Sequence, residues 1–448
     1  GKQGVAQLST GNKGTTHDGF PTMLGIQLEL TMTGAVNPFK LRNDLLPLFL
    51  GKGASSLSSL PTPPTASPTG TALRLRMQTI LRQDGRYMIM GAVAISTMVK
   101  DPTKDSGIHL GDLSNGTGLA QAKDSDTVEC DPFVLNRTSM ADIIWVVDES
   151  GSMSDNRLDV ANNAKDFFSR AVKSGLDFRV AVTGVNDGSA KGYYTGKFCS
   201  VASTDIKHSG GTDRFLLSTE QAIFEACVKN PPGYEGGSEY GMLNAKAAVE
   251  KHLPRATNSP SKIRTGAALV IIHATDELPE ILNGPFMNFD ICNISTQQKN
   301  GLLNKTYKDD VALFTGKSTY GKDAIATIHV IGGVCKNTCG ADIAHGYIEV
   351  SQLTGGQTGD VCQKNLGATM QLIIDSITGT ASPAILEYVP MSASLAVALG
   401  QTVLQRSRTK GFDYSETNNS LIFINTPFKK GDQVVASYRR WVRQEVVK

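Results

Sequence analysis

The middle of the chain, residues 141 to 380, alternates short apolar runs with amphipathic segments. Nearly continuous apolar runs are typical of strands buried on both faces of a parallel sheet, and they occupy residues 142–148, 178–183, 267–274 and 324–331. A shorter strand is predicted at 347–350. Apolar positions at helical spacing predict helices over 155–172, 238–252 and 366–377. This order predicts an α/β domain with a doubly wound, mostly parallel sheet.

The two ends of the chain instead alternate apolar and polar residues, as antiparallel strands do. Residues 72–81 and 86–99, joined through Asp84-Gly85, predict a hairpin, and short alternating runs return after Pro383. Four prolines in residues 60–71 favour an extended linker. We therefore predict that all-β segments flank the α/β domain and form a β-sandwich. The predicted divisions of the chain are an N-terminal segment with the linker (1–71), a β segment that stands alone or joins the C-terminus (72–140), the α/β domain (141–380) and a C-terminal β domain (381–448).

Charge and hydropathy exclude two classes of partner. The 448 residues contain 44 Lys and Arg against 42 Asp and Glu, a formal net charge of +2, which gives no general attraction to nucleic acid or anionic lipid. The longest apolar stretch, 87–99, is interrupted by polar residues and is too short to span a bilayer. We predict no nucleic-acid partner and no membrane span.

Cysteine usage favours an exported protein. Seven cysteines fit up to three disulfides and one free thiol, a pattern that cytosolic chains rarely keep. Cys335 and Cys339 lie four residues apart, which suits a small loop clasp; unpaired thiols or a zinc site are the alternatives. The chain starts at Gly1 with no charged and apolar leader, so we expect a processed form that is secreted or displayed at the cell surface, lipid-anchored or within a surface appendage.

A candidate cation site follows the first apolar run of the α/β domain. Asp148, Ser150 and Ser152 lie two residues apart in the loop before a helix, so that one carboxylate and two hydroxyls can turn toward one point. Ser238, which opens a helix after two glycines, and Asp276, which ends the next apolar run, are candidates for further oxygen ligands. The segment 210–212 is a rival for the Ser238 position, and simple helix capping by the first loop is the alternative to metal binding.

These three motifs together resemble the metal-ion-dependent adhesion site of the von Willebrand factor A (vWA) domain, most closely in exported bacterial surface proteins. The resemblance covers residues 141 to 379, and it departs from the family where Ser238 replaces the usual threonine and Glu277 adds a carboxylate. It implies a Rossmann-like fold and a bound Mg²⁺, with Mn²⁺ or Ca²⁺ as alternatives. The implied metal ligands are Asp148, Ser150, Ser152, Ser238 and Asp276, and the implied partner-binding rim is Glu149, Glu239 and Glu277.

The resemblance implies a secreted or cell-surface adhesion protein that captures a partner through an Asp or Glu carboxylate. The alternative is a structural subunit of an extracellular filament or pilus-associated assembly, in which the β segments make the contacts and the chain self-assembles. A Ser150, His273 and Asp148 hydrolase is disfavoured, because His273 lies inside an apolar run and no nucleophile-elbow or nucleotide-binding motif occurs. We therefore expect a protein that is not an enzyme.

Overall fold

A computed structural model describes most of the chain, and its contacts divide the chain into two compact units. The first unit joins Gly1–Leu135 to Ala384–Pro427 and Gly431–Lys448, and the second comprises Asn136–Pro383 with Phe428–Lys430. The residues described are 3–10, 22–50, 68–81, 87–100, 105–114, 125–135, 139–185, 196–199, 213–233, 239–279, 292, 295–301, 308–335, 338–415, 419–424, 426, 428 and 431–442.

The N-terminal part of the first unit is an antiparallel sheet with short helices. Its elements are β1 (Gln3–Thr10), β2 (Thr22–Val36), α1 (Pro38–Leu50), β3 (Gly70–Leu81), β4 (Tyr87–Ile95), α2 (Ser96–Lys100), α3 (Ser106–Ser114) and β5 (Ser125–Val134). The first four strands pair in chain order. Strands β3 and β4 form the predicted antiparallel pair, while the Asp84-Gly85 turn lies outside the described residues, as does most of the proposed linker.

The parallel sheet of the second unit confirms the prediction of a mixed α/β fold. Its strands are β6 (Met140–Val147), β7 (Asp177–Thr183), β8 (Leu216–Leu217), β9 (Ala268–Ala274), β10 (Ala326–Gly332) and β11 (Thr358–Asp360), in the sheet order β11-β10-β9-β6-β7-β8. All neighbours are parallel except β7 and β8. The helices are α4 (Ser154–Lys173), α5 (Gln221–Lys229), α6 (Gly241–Lys251), α7 (Thr296–Gly301), α8 (Lys308–Phe314), α9 (Tyr347–Thr354) and α10 (Gly367–Ala381).

The C-terminal strands of the chain belong to the first unit. They are β12 (Ala396–Leu399), β13 (Thr402–Leu404), β14 (Gly411–Ser415), β15 (Ser420–Ile424) and β16 (Gln433–Val442). Strand β16 pairs antiparallel with β5 over ten residues, in the sheet order β13-β12-β16-β5, and β14 pairs with β15. Segments from both ends of the chain therefore build one sheet.

Strand β6 lies in the middle of the parallel sheet because nearly every side chain in it is apolar. Trp145 is fully buried and packs edge-on against Phe167 of α4 and Phe224 of α5. Residues on the other face of β6, including Ile144 and Val146, belong to a second apolar cluster. Apolar layers on both faces of the sheet fix where β6 ends, and with it the position of the loop that follows.

One strand prediction is wrong. Residues 347–350 lie in the first turn of the helix α9, and the fifth strand that pairs with β10 is instead β11. The helix begins at Gly346, whose backbone N–H donates to the Glu349 carboxylate, and ends at Gly355 in a left-handed conformation. Such caps stabilise a short helix over a strand of the same apolar pattern.

The cysteines form three disulfides, as the composition predicted, but the proposed clasp between Cys335 and Cys339 is wrong. The bonds are Cys199–Cys227, Cys292–Cys335 and Cys339–Cys362. Cys130 is free and exposed on β5. Each bond joins segments between 23 and 43 residues apart, so the cysteines connect separate loops and helices rather than closing one short turn.

Among the described residues, no helix is long and apolar enough to cross a bilayer.

Candidate metal centre

Asp148 is held at the end of β6 by neighbouring backbone and side-chain groups. Its backbone N–H donates to Ala274 of β9 at 2.9 Å, which continues the sheet by one residue. Its carboxylate is fully buried and accepts hydrogen bonds from the Ser150 N–H and the Thr275 hydroxyl, both at 2.8 Å. Thr275 was missed by the sequence analysis, although its place directly before Asp276 at a strand end was an available signal.

The two serines of the first motif contact each other, and the second of them contacts Asp276. The Ser150 and Ser152 hydroxyl oxygens lie 2.9 Å apart, and the Ser152 hydroxyl donates to Asp276 Oδ1 at 3.3 Å. It also lies 3.4 Å from Glu277 Oε1. No side chain caps the first turn of α4, so these hydroxyls do not act as helix caps. The loops after β6 and β9 thus bring two hydroxyls and two carboxylates together.

The second motif is described only in part. Ser238 lies outside the described residues, as does the rival segment 210–212. The adjacent Glu239 is described: it is 1% exposed, and among the described residues neither of its carboxylate oxygens has a hydrogen-bond partner. An ionised carboxylate without donors is costly to bury, so the surroundings of Glu239 must supply a proton or a cation.

Two of the three predicted rim carboxylates are buried rather than exposed. Glu149 is 5% exposed because its Oε2 accepts a hydrogen bond from the Val185 N–H at 2.8 Å and Gly233 packs against the carboxylate. Glu239 is enclosed as described above. Glu277 alone of the three is half-buried, with access to solvent. Glu149 and Glu239 are therefore buried in the structure and do not lie at a solvent-exposed rim.

A guanidinium group supports the first loop from the side of α4. Arg157 Nη1 donates to the Asp148 carbonyl at 3.0 Å and to the Ser150 carbonyl at 2.6 Å. Both carbonyls are thereby turned toward α4, and the backbone between the two residues is fixed. The sequence pattern gave no reason to single out this arginine among the polar residues of the helix.

The site is electrostatically short of positive charge. Burial, followed by the charges of Asp148 and Glu277, raises the pKa of Asp276 to about 6. Burial, together with Asp148, Glu277 and Asp276, raises the pKa of Glu239 to about 11. The pKa of Asp148 is also raised by burial, although the Ser150 and Thr275 hydrogen bonds oppose the shift. Mutual repulsion of this kind is relieved when a cation binds between the carboxylates.

The donor set has the chemistry of a hard divalent cation. Hydroxyl and carboxylate oxygens are the ligands that Mg²⁺ and Ca²⁺ prefer, and the unpartnered oxygens of Glu239 point to a missing positive charge. Within the described part of the chain, no three His, Cys, Asp or Glu side chains are placed to hold one ion. Serine hydroxyls would therefore have to supply part of any coordination shell here.

His273 does not join the serines and Asp148 in a hydrolytic arrangement. It is 1% exposed within β9, its ring packs beside Tyr347, and burial lowers its pKa to about 3. Neither ring nitrogen has a hydrogen-bond partner within the described part of the chain. His273 therefore does not act as a base toward Ser150.

Comparisons with known proteins found similarity in structure alone. No family model matches the chain, and no curated protein matches its sequence. The pilus adhesin SpaC from Lactobacillus rhamnosus GG is 13% identical with a TM-score of 0.33, over 83% of this chain and 42% of that one. Proximal thread matrix protein 1 from the mussel byssus is 14% identical with a TM-score of 0.29, over 54% of this chain and 49% of that one.

Manganese-loaded TRAP protein from Plasmodium vivax is 14% identical with a TM-score of 0.28, over 56% of this chain and 76% of that one. The chain spans less than half the length of SpaC. At such identities and TM-scores these similarities assign neither a family nor a function.

Proposed function

We propose that this chain is a secreted or cell-surface adhesion protein whose vWA-type domain holds a divalent cation and captures a partner carboxylate through it. The observation that carries the proposal is the contact of the Ser150 hydroxyl with the Ser152 hydroxyl, and of Ser152 with Asp276, at the carboxyl ends of adjacent parallel strands. Ligands bind at this edge in open α/β sheets. We assign a binding role rather than a catalytic one.

The residues of the chain would share the work at the site. Ser150, Ser152 and Asp276 would contact the ion, Asp148 would orient Ser150, and Ser238 is assigned from the motif alone. When bound, Mg²⁺, or alternatively Mn²⁺ or Ca²⁺, supplies an electrophile on which an acidic side chain of the partner can replace a water. Half-buried Glu277 lies at the open side of the cluster and would discriminate among partners by repulsion.

Export is supported by the cysteines. All six paired cysteines lie in the unit that contains the site, and such bonds persist in oxidising compartments. We therefore place the proposed capture outside the cell.

Selection of displayed random peptides on the immobilised protein in Mg²⁺ tests this function. We expect the selected peptides to contain Asp or Glu, to dissociate in EDTA, and to lose binding when that residue is changed to Asn or Gln. Asp276→Ala should abolish capture, whereas Asp155→Ala, an exposed carboxylate in the first turn of α4, should not. Peptides that bind equally after removal of Mg²⁺ or of the carboxylate would refute the proposal.

A further inference from the structure

The sheet formed by β13, β12, β16 and β5 has one buried face and one exposed apolar face. Side chains on its inner face are buried, Val397 and Val434 among them. The outer face carries an apolar row with one residue from each strand, placed opposite one another by the strand register: Val403, Ala398, Val435 and Pro132. The four valines of the outer face are between 39% and 77% exposed: Val128, Val134, Val403 and Val435. Apolar side chains that cluster on an open sheet face indicate a contact surface.

A free thiol lies within this outer face. Cys130 is exposed between Val128 and Pro132 on β5, and it lies opposite Ser437 of β16. The other six cysteines are paired in disulfides. In a chain with this pattern, an exposed leftover thiol is available to a second chain. A second copy of the same chain brings an identical thiol and an identical apolar face, and two-fold symmetry pairs both of them at once.

The charges of the outer face are compatible with docking of a second copy. Among the described side chains of this face, only Asp126 and Arg439 are charged, and they form an ion pair with each other at 3.3 Å. Two such faces therefore meet without a net charge of the same sign on both sides.

The apolar area is too small to hold a dimer without a covalent bond. Four strands spaced about 4.8 Å apart, with a rise of about 3.4 Å per residue over 128–134, give a footprint of about 300 Å². A stable interface buries about 800 Å² on each partner. A disulfide at the centre of the face would supply the missing stability, because it makes the apolar contact intramolecular.

We infer that two copies of this chain dock through their outer faces and are joined by a disulfide between their Cys130 residues. The Cys130 thiolate of one copy attacks a small-molecule disulfide, forms a mixed disulfide and releases one thiol. The Cys130 thiolate of the second copy then attacks the protein sulfur of that bond and releases the other thiol. Two protein thiols are thereby oxidised, and the small-molecule disulfide is reduced to two thiols. The monomer keeps Cys130 as a free thiol.

Docking of the faces is favoured over pairing along the outer edge of β5. Antiparallel pairing of β5 with its copy about Cys130 would place Glu129 of each chain opposite Asp131 of the other, and like charges directly opposite each other destabilise a sheet. The Leu135 N–H donates to Asp432 on the β16 side, so by alternation Pro132 is turned to the outer edge. Pro132 has no N–H to donate to an added strand.

The equilibrium between the full chain and glutathione disulfide in a glutathione redox buffer measures this dimer. We expect the equilibrium constant for dimer formation in the wild type to exceed that of Cys130→Ser/Val172→Cys by about tenfold or more. The single thiol of this control lies at an exposed position on α4. In Cys130→Ser, sedimentation velocity should show monomers alone.

Substitutions in the outer face separate docking of the faces from other routes to the disulfide. Val403→Arg and Val435→Arg each place a like charge on both faces, so we expect the constant to fall to the level of the control. Ile89→Arg, at an exposed apolar position on β4, is the matched control and should keep the wild-type constant. Circular dichroism checks that each variant folds.

Three results would overturn the inference. A wild-type constant equal to that of Cys130→Ser/Val172→Cys would show that the face contributes nothing. Wild-type constants in both Val403→Arg and Val435→Arg would show that the disulfide forms without docking of the faces. Stable dimers of Cys130→Ser would contradict the need for the covalent bond. None of these results bears on the proposed cation site, which lies in the other unit.

Discussion

Arg264 forms ion pairs with two aspartates, one buried and one half-exposed. We expect substitutions of these two aspartates to lower the stability of the protein by very different amounts. Its Nε donates to Asp142 at 2.9 Å and its Nη1 to Asp177 at 2.8 Å. Asp142 is fully buried in β6 and also accepts two hydrogen bonds from Arg179. The Asp177 side chain is 50% exposed. We predict that Asp142→Asn destabilises the parallel-sheet unit strongly and that Asp177→Asn barely does.

The magnitude follows from what each substitution leaves behind. Without the Asp142 charge, two guanidinium groups that are 8% and 13% exposed lose their shared counter-ion, which costs about 3 to 5 kcal/mol. Loss of a half-exposed partner costs about 1 kcal/mol or less. For a unit of this size, the first change corresponds to a fall in Tm of about 6 to 20 °C.

Tryptophan fluorescence can follow the unfolding of this unit alone. Trp145 is buried in β6, and the second tryptophan of the chain, Trp441, lies in the other unit, so a Trp441→Phe background isolates the signal. Both aspartate variants should be melted in that background. Equal shifts for Asp142→Asn and Asp177→Asn would refute the reasoning that burial sets the cost of this network.

Three further predictions concern single positions. Burial raises the pKa of Asp310 to about 7, so the folded state prefers the protonated form and loses stability as pH rises from about 4 toward 7. In denaturant titrations, Asp310→Asn should therefore be more stable than the wild type by about 1 to 4 kcal/mol at pH 8, with little difference at pH 4. Gly356→Ala should lower the free energy of unfolding by more than about 2 kcal/mol, because the new Cβ would lie 1.7 Å from the Ile328 carbonyl oxygen. Gly355→Ala meets open space but keeps a left-handed φ of 77°, so it should lower that free energy by about 1 kcal/mol. Equal losses for the two variants would contradict this. A thiol reagent should label one cysteine per native chain, and none in Cys130→Ser.

Strong local patterns were enough to predict the centre of the fold. The apolar run that became β6 is buried on both faces, and the helical pattern that follows it favoured a strand, so both the strand and the loop after it were placed correctly. The strand predicted at 347–350 was wrong because a short apolar segment is compatible with either a strand or a helix. The helix depends on its caps and on the packing of Tyr347 against Gly241. The pairing of β5 with β16 joins segments about 300 residues apart, which no local pattern reveals.

The candidate site also has features that the sequence predicts and features that depend on the folded structure. Spacing predicted that Asp148, Ser150 and Asp276 lie at one edge of the sheet, because the strand ends of a parallel sheet share an edge, and hydrogen bonds link the three through Ser152. Burial of Glu149 could not be predicted, since it depends on Val185 and Gly233, which contact its carboxylate from other parts of the chain. Cysteine pairing was equally inaccessible, because spacing along the chain does not determine which loops lie together in space.

Calorimetric titration of Mg²⁺ into metal-stripped protein tests the proposed cation site without any partner. We expect saturable binding to the wild type and to Asp155→Ala, and its loss in Asp148→Ala with the circular dichroism spectrum retained. The absence of saturable binding in the wild type, or unchanged binding in Asp148→Ala, would contradict the assignment of a divalent-cation site to this edge of the sheet.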